Sequence, residues 1–161
     1  MLRRTRLVGS SVLHKKRDLV SRVCEKEVSN ELGGGWQESV YQCAMEVALR
    51  NRGLMYETQR VLPITFKEHV VGESIPDLVI WTKIGNQKVA IVVELKVESG
   101  LKEENEVQVQ RYIQELKKQV HQNEEVFPLG LVINFTKDKA SKTLNEGFEL
   151  FDGVQILGVK T

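Results

Sequence analysis

The chain has 161 residues, 41% hydrophobic and 28% charged, with 12 Gly and 3 Pro, the composition of one globular domain that buries roughly 70% of its unfolded surface without disulfides or a structural metal. No apolar run approaches the roughly 18 residues of a membrane span, and neither a collagen-like nor a disordered chain has this composition. The net charge of +1 hides an asymmetry: six of the 23 Lys and Arg (Arg3, Arg4, Arg6, Lys15, Lys16, Arg17) fall in residues 1–17, which hold no acid, so the other 144 residues carry 17 cations against 22 acids, a net of −5. By that balance the body is a poor binder of polyanions.

Residues 1–17 are Arg-rich and contain serine, and resemble part of a mitochondrial presequence, which points to an intracellular protein with a mitochondrial destination. An uncleaved basic arm that touches phosphate accounts for the same composition. Residues 18–161 read as a single domain. From Asp18, Leu19, Val20, Val23, Cys24, Val28 and Leu32 recur at helical spacing and predict a first helix, ended by Gly33, Gly34 and Gly35. A second helix starts near Trp36, with Val40, Ala44, Val47 and Ala48 on one side, and closes at Gly53 after Arg50 and Arg52. Cys24 and Cys43 read as small buried residues on these helices in a reducing compartment. The three histidines (His14, His69, His121) come without CxxC or HExxH, so a zinc site is not expected.

The period then changes to that of strands, predicted over 54–62, 64–71 (turning near 67–69), 75–84 and, after the Gly85-Asn86 turn, 88–97. The run Val89-Ala90-Ile91-Val92-Val93 marks the last of these as central and covered on both faces. A helix over 103–121 carries Val109, Tyr112, Ile113, Leu116 and Val120 on one stripe. A strand over 129–135, a weak helix over 139–150 and a strand over 154–159 complete an α/β chain.

The acids carry the chemistry. Asp77 follows Pro76 at the start of a predicted strand, and Glu94 and Lys96 share one face of the central strand while Leu95 points to the other. If those strands pair, Asp77, Glu94 and Lys96 converge. Charges on a buried strand are costly unless paired or bound to a metal. Two carboxylates with a hard divalent cation, beside an ammonium that stabilises developing negative charge, form equipment for phosphodiester hydrolysis. A structural Glu94–Lys96 ion pair at a sheet edge accounts for the same residues. Further along, Gly35-Trp36-Gln37-Glu38-Ser39-Val40-Tyr41 spells GxxExxY, and Gln108 and Tyr112 spell QxxxY; each pair shares a helix face. Tyr41 and Tyr112 equally suit core aromatics with a bonded hydroxyl, Gln108 a solvated helix residue and Trp36 a packing plug. Glu98, Glu103, Glu104 and Glu106 read as the acids of a helix N-terminus.

In order, Leu32-Gly33 and GxxExxY, Pro76-Asp77, Glu94-Leu95-Lys96, Gln108 with Tyr112, and Leu129-Gly130-Leu131-Val132-Ile133-Asn134-Phe135 resemble the GxxExxY family of the PD-(D/E)XK nuclease superfamily, over about three quarters of the chain. The resemblance implies a restriction-endonuclease-like core, a central mixed β-sheet flanked by helices. It implies Asp77 and Glu94 as ligands of Mg2+ or Mn2+, joined by the Leu95 carbonyl and by Glu38 from its helix, with Lys96 as the catalytic lysine. Tyr41, Gln108 and Tyr112 would border the substrate, DNA or RNA, with Lys102, Lys117, Lys118 and the basic arm holding the strand. Members commonly carry a histidine shortly before the Leu-Gly, where this chain has Ser29-Asn30-Glu31. A different class of function also suits the small size and acidic body: an inactive subunit of a larger assembly, such as an organellar ribonucleoprotein, or a homodimer. No membrane partner is expected.

Overall fold

The apolar run at 89–93 occupies the middle of a mixed sheet. In the computed structural model, which describes residues 14, 15, 18–20, 22–135, 148–151 and 154–161, it belongs to β5 (Gln87–Lys96). β5 pairs antiparallel with β4 (Leu78–Ile84) on one side. On the other it runs parallel to β6 (Glu124–Val126) and then to β7 (Leu129–Phe135). β1 (Met55–Glu57) extends the sheet beyond β4; β9 (Val154–Lys160) and β8 (Phe148–Phe151) extend it beyond β7, giving the order β1-β4-β5-β7-β9-β8. A separate antiparallel ribbon is formed by β2 (Leu62–Phe66) and β3 (His69–Ser74).

Helices cover both faces. The first, α1, is a π-helical stretch Val23–Ser29 followed by a single α turn, Asn30–Leu32. Its i→i+5 spacing brings Val23 and Val28 to one side, where both are buried. With α2 (Glu38–Asn51) it packs on Leu78, Ile80, Ile91, Val93 and Leu95. α3 (Glu103–Lys117) covers the opposite face, where Val109, Ile113 and Leu116 meet Val79, Trp81, Ala90, Val92 and Val132. The alternation along β5 thus sends Ile91, Val93 and Leu95 to one core and Ala90 and Val92 to the other, as expected of a strand covered on both sides. Gly130 is required where α3 crosses β7: a Cβ there would lie 2.5 Å from Val109 Cγ1 and 3.1 Å from the Val92 carbonyl oxygen.

Several expectations are corrected. α2 buries Tyr41, Met45, Ala48 and Leu49, and leaves Val40 and Val47 exposed. The larger area of Tyr41 and Met45 decides the rotation of the helix over two valines. Cys43 is exposed, not buried. The predicted strand over 54–62 is split, because residues 58–61 leave the sheet before β2 begins. β4 starts at Leu78 rather than 75, α3 ends at Lys117 rather than 121, and β6 was not expected. Of the weak helix predicted over 139–150, residues 139–147 lie outside the described residues, and Phe148–Phe151 is a strand. Most of the basic arm, 1–13, 16 and 17, also lies outside them.

Candidate active site

Antiparallel pairing sets Leu78 opposite Val93, so Asp77, one residue before β4, arrives beside Glu94. The two strands exchange side-chain bonds there. The Asp77 N–H donates to Glu94 Oε2 at 3.3 Å, and the Leu95 N–H donates to Asp77 Oδ2 at 2.7 Å. Lys96 Nζ lies 3.5 Å from Glu94 Oε1. Glu94 and Lys96 continue the Ala90–Val92 alternation and so face α3, whereas the Leu95 side chain is buried in the opposite core.

Two helices complete the cluster. In α2, Gln42 Nε2 donates to the Asp77 carbonyl at 3.2 Å. Glu38, one turn earlier on the same face, lies close enough to feel the charges of Asp77, Lys96 and Glu98. From α3, Tyr112 reaches the field of Glu94 and Asp77, and its hydroxyl accepts a hydrogen bond from Gln108 Nε2 at 2.7 Å. Lys96, Gln108 and Tyr112 line a cleft of about 990 Å³ that also takes in Arg111, Glu103, Glu104 and Glu115 of α3 and Ile64 and Ser74 of the ribbon. Lys102, Lys117 and Lys118 are not among its lining residues, and Lys118 pairs with Glu115 at 2.9 Å.

Tyr41 takes a different place from the one the resemblance implied. It is 1% exposed, its ring stacked on Phe135 at 4.3 Å between centroids, and its hydroxyl donates to the Gly33 carbonyl at 2.7 Å. It holds the glycine loop onto the core rather than bordering the cleft. Trp36 is half exposed instead of a plug, its indole N–H donating to the Leu32 carbonyl at 2.9 Å.

Glu98, expected among the acids of a helix N-terminus, belongs instead to the site. Its backbone N–H donates to Asn134 Oδ1 at 2.8 Å and its carbonyl accepts from Asn134 Nδ2 at 3.1 Å; Asn134, fully buried, also donates to Gln155 Oε1 at 3.0 Å. That clamp turns Glu98 into the cleft, where Oε2 is buried with no hydrogen-bond partner among the described residues. The sequence carries two faint signals of it, the Glu94-x-Lys96-x-Glu98 alternation and an Asn at the end of an otherwise apolar strand, both masked by the three acids that follow at a helix start.

Burial pushes the Glu94 carboxyl up to about 8, with the neighbouring Asp77 charge adding to the shift. Burial also raises Asp77, partly offset by the Leu95 N–H. Glu38 is raised by burial and then by Asp77, and Tyr112 is pushed up to about 12 by burial and then by Glu94. All three acids are thus held in surroundings that disfavour their charge, the condition a cation relieves. Among the described residues no three His, Cys, Asp or Glu side chains already stand together as a metal cage. Mg2+ does not require one: it binds through one or two carboxylates and keeps several waters. Asp77 and Glu94, all-oxygen donors bridged across two strands, fit that habit.

Among known proteins, no curated protein and no solved structure matches the chain. The model of the PD-(D/E)XK nuclease superfamily matches residues 17–146, a span that holds Glu38, Asp77, Glu94, Lys96, Gln108 and Tyr112. With a match over most of its length, and a mixed sheet flanked by helices that agrees with a restriction-endonuclease-like fold, this chain belongs to the PD-(D/E)XK nuclease superfamily.

Proposed function

We propose that this protein is a divalent-metal-dependent nuclease of the GxxExxY kind, hydrolysing phosphodiester bonds of DNA or RNA. The observation that carries the reading is the reciprocal bonding of Asp77 and Glu94 across β4 and β5, with the Lys96 ammonium 3.5 Å from Glu94. Asp77 and Glu94, with the Leu95 carbonyl, hold Mg2+ or Mn2+, and Glu38 is a further acid on the α2 side. The bound ion supplies Lewis-acid polarisation of the phosphate and a lowered pKa for attacking water. Lys96 offsets the charge that grows on the phosphate oxygens in the transition state. Gln108 and Tyr112, linked by their hydrogen bond, form the α3 wall; Tyr112 keeps its proton across the neutral range and so presents a neutral hydroxyl. Residues 1–17 serve as a targeting segment to mitochondria or as a tether to phosphate.

Cleavage of single- and double-stranded DNA and RNA with Mn2+ tests the reading. The intact protein should cut at least one of them, and Lys96→Ala should lower the rate by about a hundredfold or more. The net −5 of the body and the carboxylates Glu103, Glu104 and Glu115 along the cleft favour the second reading, an inactive subunit of a larger assembly. No cleavage by the intact protein, or full cleavage by the Lys96→Ala variant, supports that alternative and defeats the first.

A further inference from the structure

Among the described residues the β2–β3 ribbon pairs with no other strand, yet it carries their largest exposed apolar group: Phe66 and Val70 are each 63% exposed, with Val71 and Ile64 also open. Its base is anchored, since Leu62 is fully buried in the α3-side core. The register slip between Ile64 and Thr65 leaves Val71 of β3 as the extra residue, so β2 keeps its alternation and Leu62, Ile64 and Phe66 share one face. Ile64 on that face lines the cleft with Lys96 and Tyr112. Phe66, two residues further along that face, lies beyond the cleft lining and open to solvent, with Lys67 Nζ over its ring, 5.5 Å from the centroid.

Resting on the nuclease reading, we infer that this ribbon is the docking arm for a single-stranded nucleic acid, with Phe66 as the platform on which a base stacks. The cleft that leads to Lys96 offers a backbone little attraction: Lys96 and Arg111 are the cations of its lining, against Glu98, Glu103, Glu104 and Glu115. That holds for single strand and duplex alike, but a duplex also hides its base faces inside the stack and so has nothing to offer an exposed ring. A single strand exposes base faces, and an open aromatic ring beside a Lys takes them without sequence preference. The apolar arm meets the cleft at its base, where Ile64 and Ser74 of the ribbon line it together with Lys96 and Tyr112. This continuity favours nucleic acid over a second protein chain as the occupant.

The test separates binding from cutting. Full-length Asp77→Asn protein is titrated by fluorescence anisotropy with a labelled oligothymidine longer than the roughly 4–16 nucleotides a single-strand groove covers, and with a duplex of equal length. The single strand should bind about tenfold more tightly than the duplex; Phe66→Ala should lose about tenfold of that affinity, and Phe66→Trp should retain it. Phe66 is exposed, so neither change threatens the fold. Equal or tighter duplex binding overturns the inference, as does unchanged affinity in Phe66→Ala. A Phe66→Ala change from dimer to monomer by light scattering, with oligothymidine affinity unaltered, assigns the arm to a second copy and also overturns it. The expected binding pattern in a wild-type protein that cuts nothing supports the docking arm and defeats the hydrolytic reading.

Discussion

With its carboxyl at about 8 in the folded protein, Glu94 retains a proton at neutral pH that the unfolded chain gives up near its ordinary value of 4.5. Between those two values the unfolded state binds fewer protons than the folded one, so the stability of the metal-free protein falls as pH rises through this window and levels off above it. Asp77 and Glu38 are raised too and add the same sign. Thermal melts in chelator from about pH 5 to about pH 8 should therefore show a falling melting temperature, and Glu94→Gln should flatten most of the slope while keeping the acceptor for the Asp77 N–H. A flat wild-type profile would contradict the description of Glu94 as a buried acid forced toward its neutral form. Glu94 was legible in the sequence because a charge inside an apolar strand stands out, and Asp77 because it follows Pro76 where the neighbouring strand begins. Glu98 was not, since three acids follow it at the start of a helix and hide it among groups that suit a helix dipole. What sets it apart is a contact 36 residues away in sequence, with Asn134.

Among the elements, the central strand was readable because five apolar residues in a row suit a strand buried between two layers, and the structure covers both its faces. Helix α2 was readable as a helix but not in its rotation: Tyr41 and Met45 win the core over Val40 and Val47 through area, which a count of apolar positions does not weigh. β6 escaped notice because Glu124-Glu125-Val126 has no strand signature of its own and is held by pairing with Lys88–Ala90. The ribbon turn was expected near its observed place, but its chemistry is unusual. Lys67 and Glu68 both have positive φ, 47° and 66°, in a two-residue connection between Phe66 and His69. Such a turn is ordinarily made by Asn-Gly, and a residue with a Cβ costs about 1 kcal/mol there. Glu68→Gly should raise the stability of the protein by about that amount in urea denaturation. A loss of stability would show that the side chain of Glu68 contributes more than its backbone conformation costs.

At the scale of the molecule, the sheet, its two helical layers and the placement of the acids all follow from one arrangement: β4 begins where antiparallel β5 ends, and α2 and α3 close over that end from opposite sides. The charge asymmetry takes on a different weight here. One divalent cation at Asp77 and Glu94 would bring the body from −5 to −3. The hydrolytic reading depends on Asp77 and Glu94 binding a metal ion together. The most direct measurement is the melting temperature of the full chain with and without Mn2+. At a concentration near a hundred times the dissociation constant, the ion should raise it by about 5 °C or more. Asp77→Asn and Glu94→Gln, each of which keeps its acceptor oxygen, should both abolish the rise. No shift in the wild type, or a shift that survives in both variants, would contradict the account.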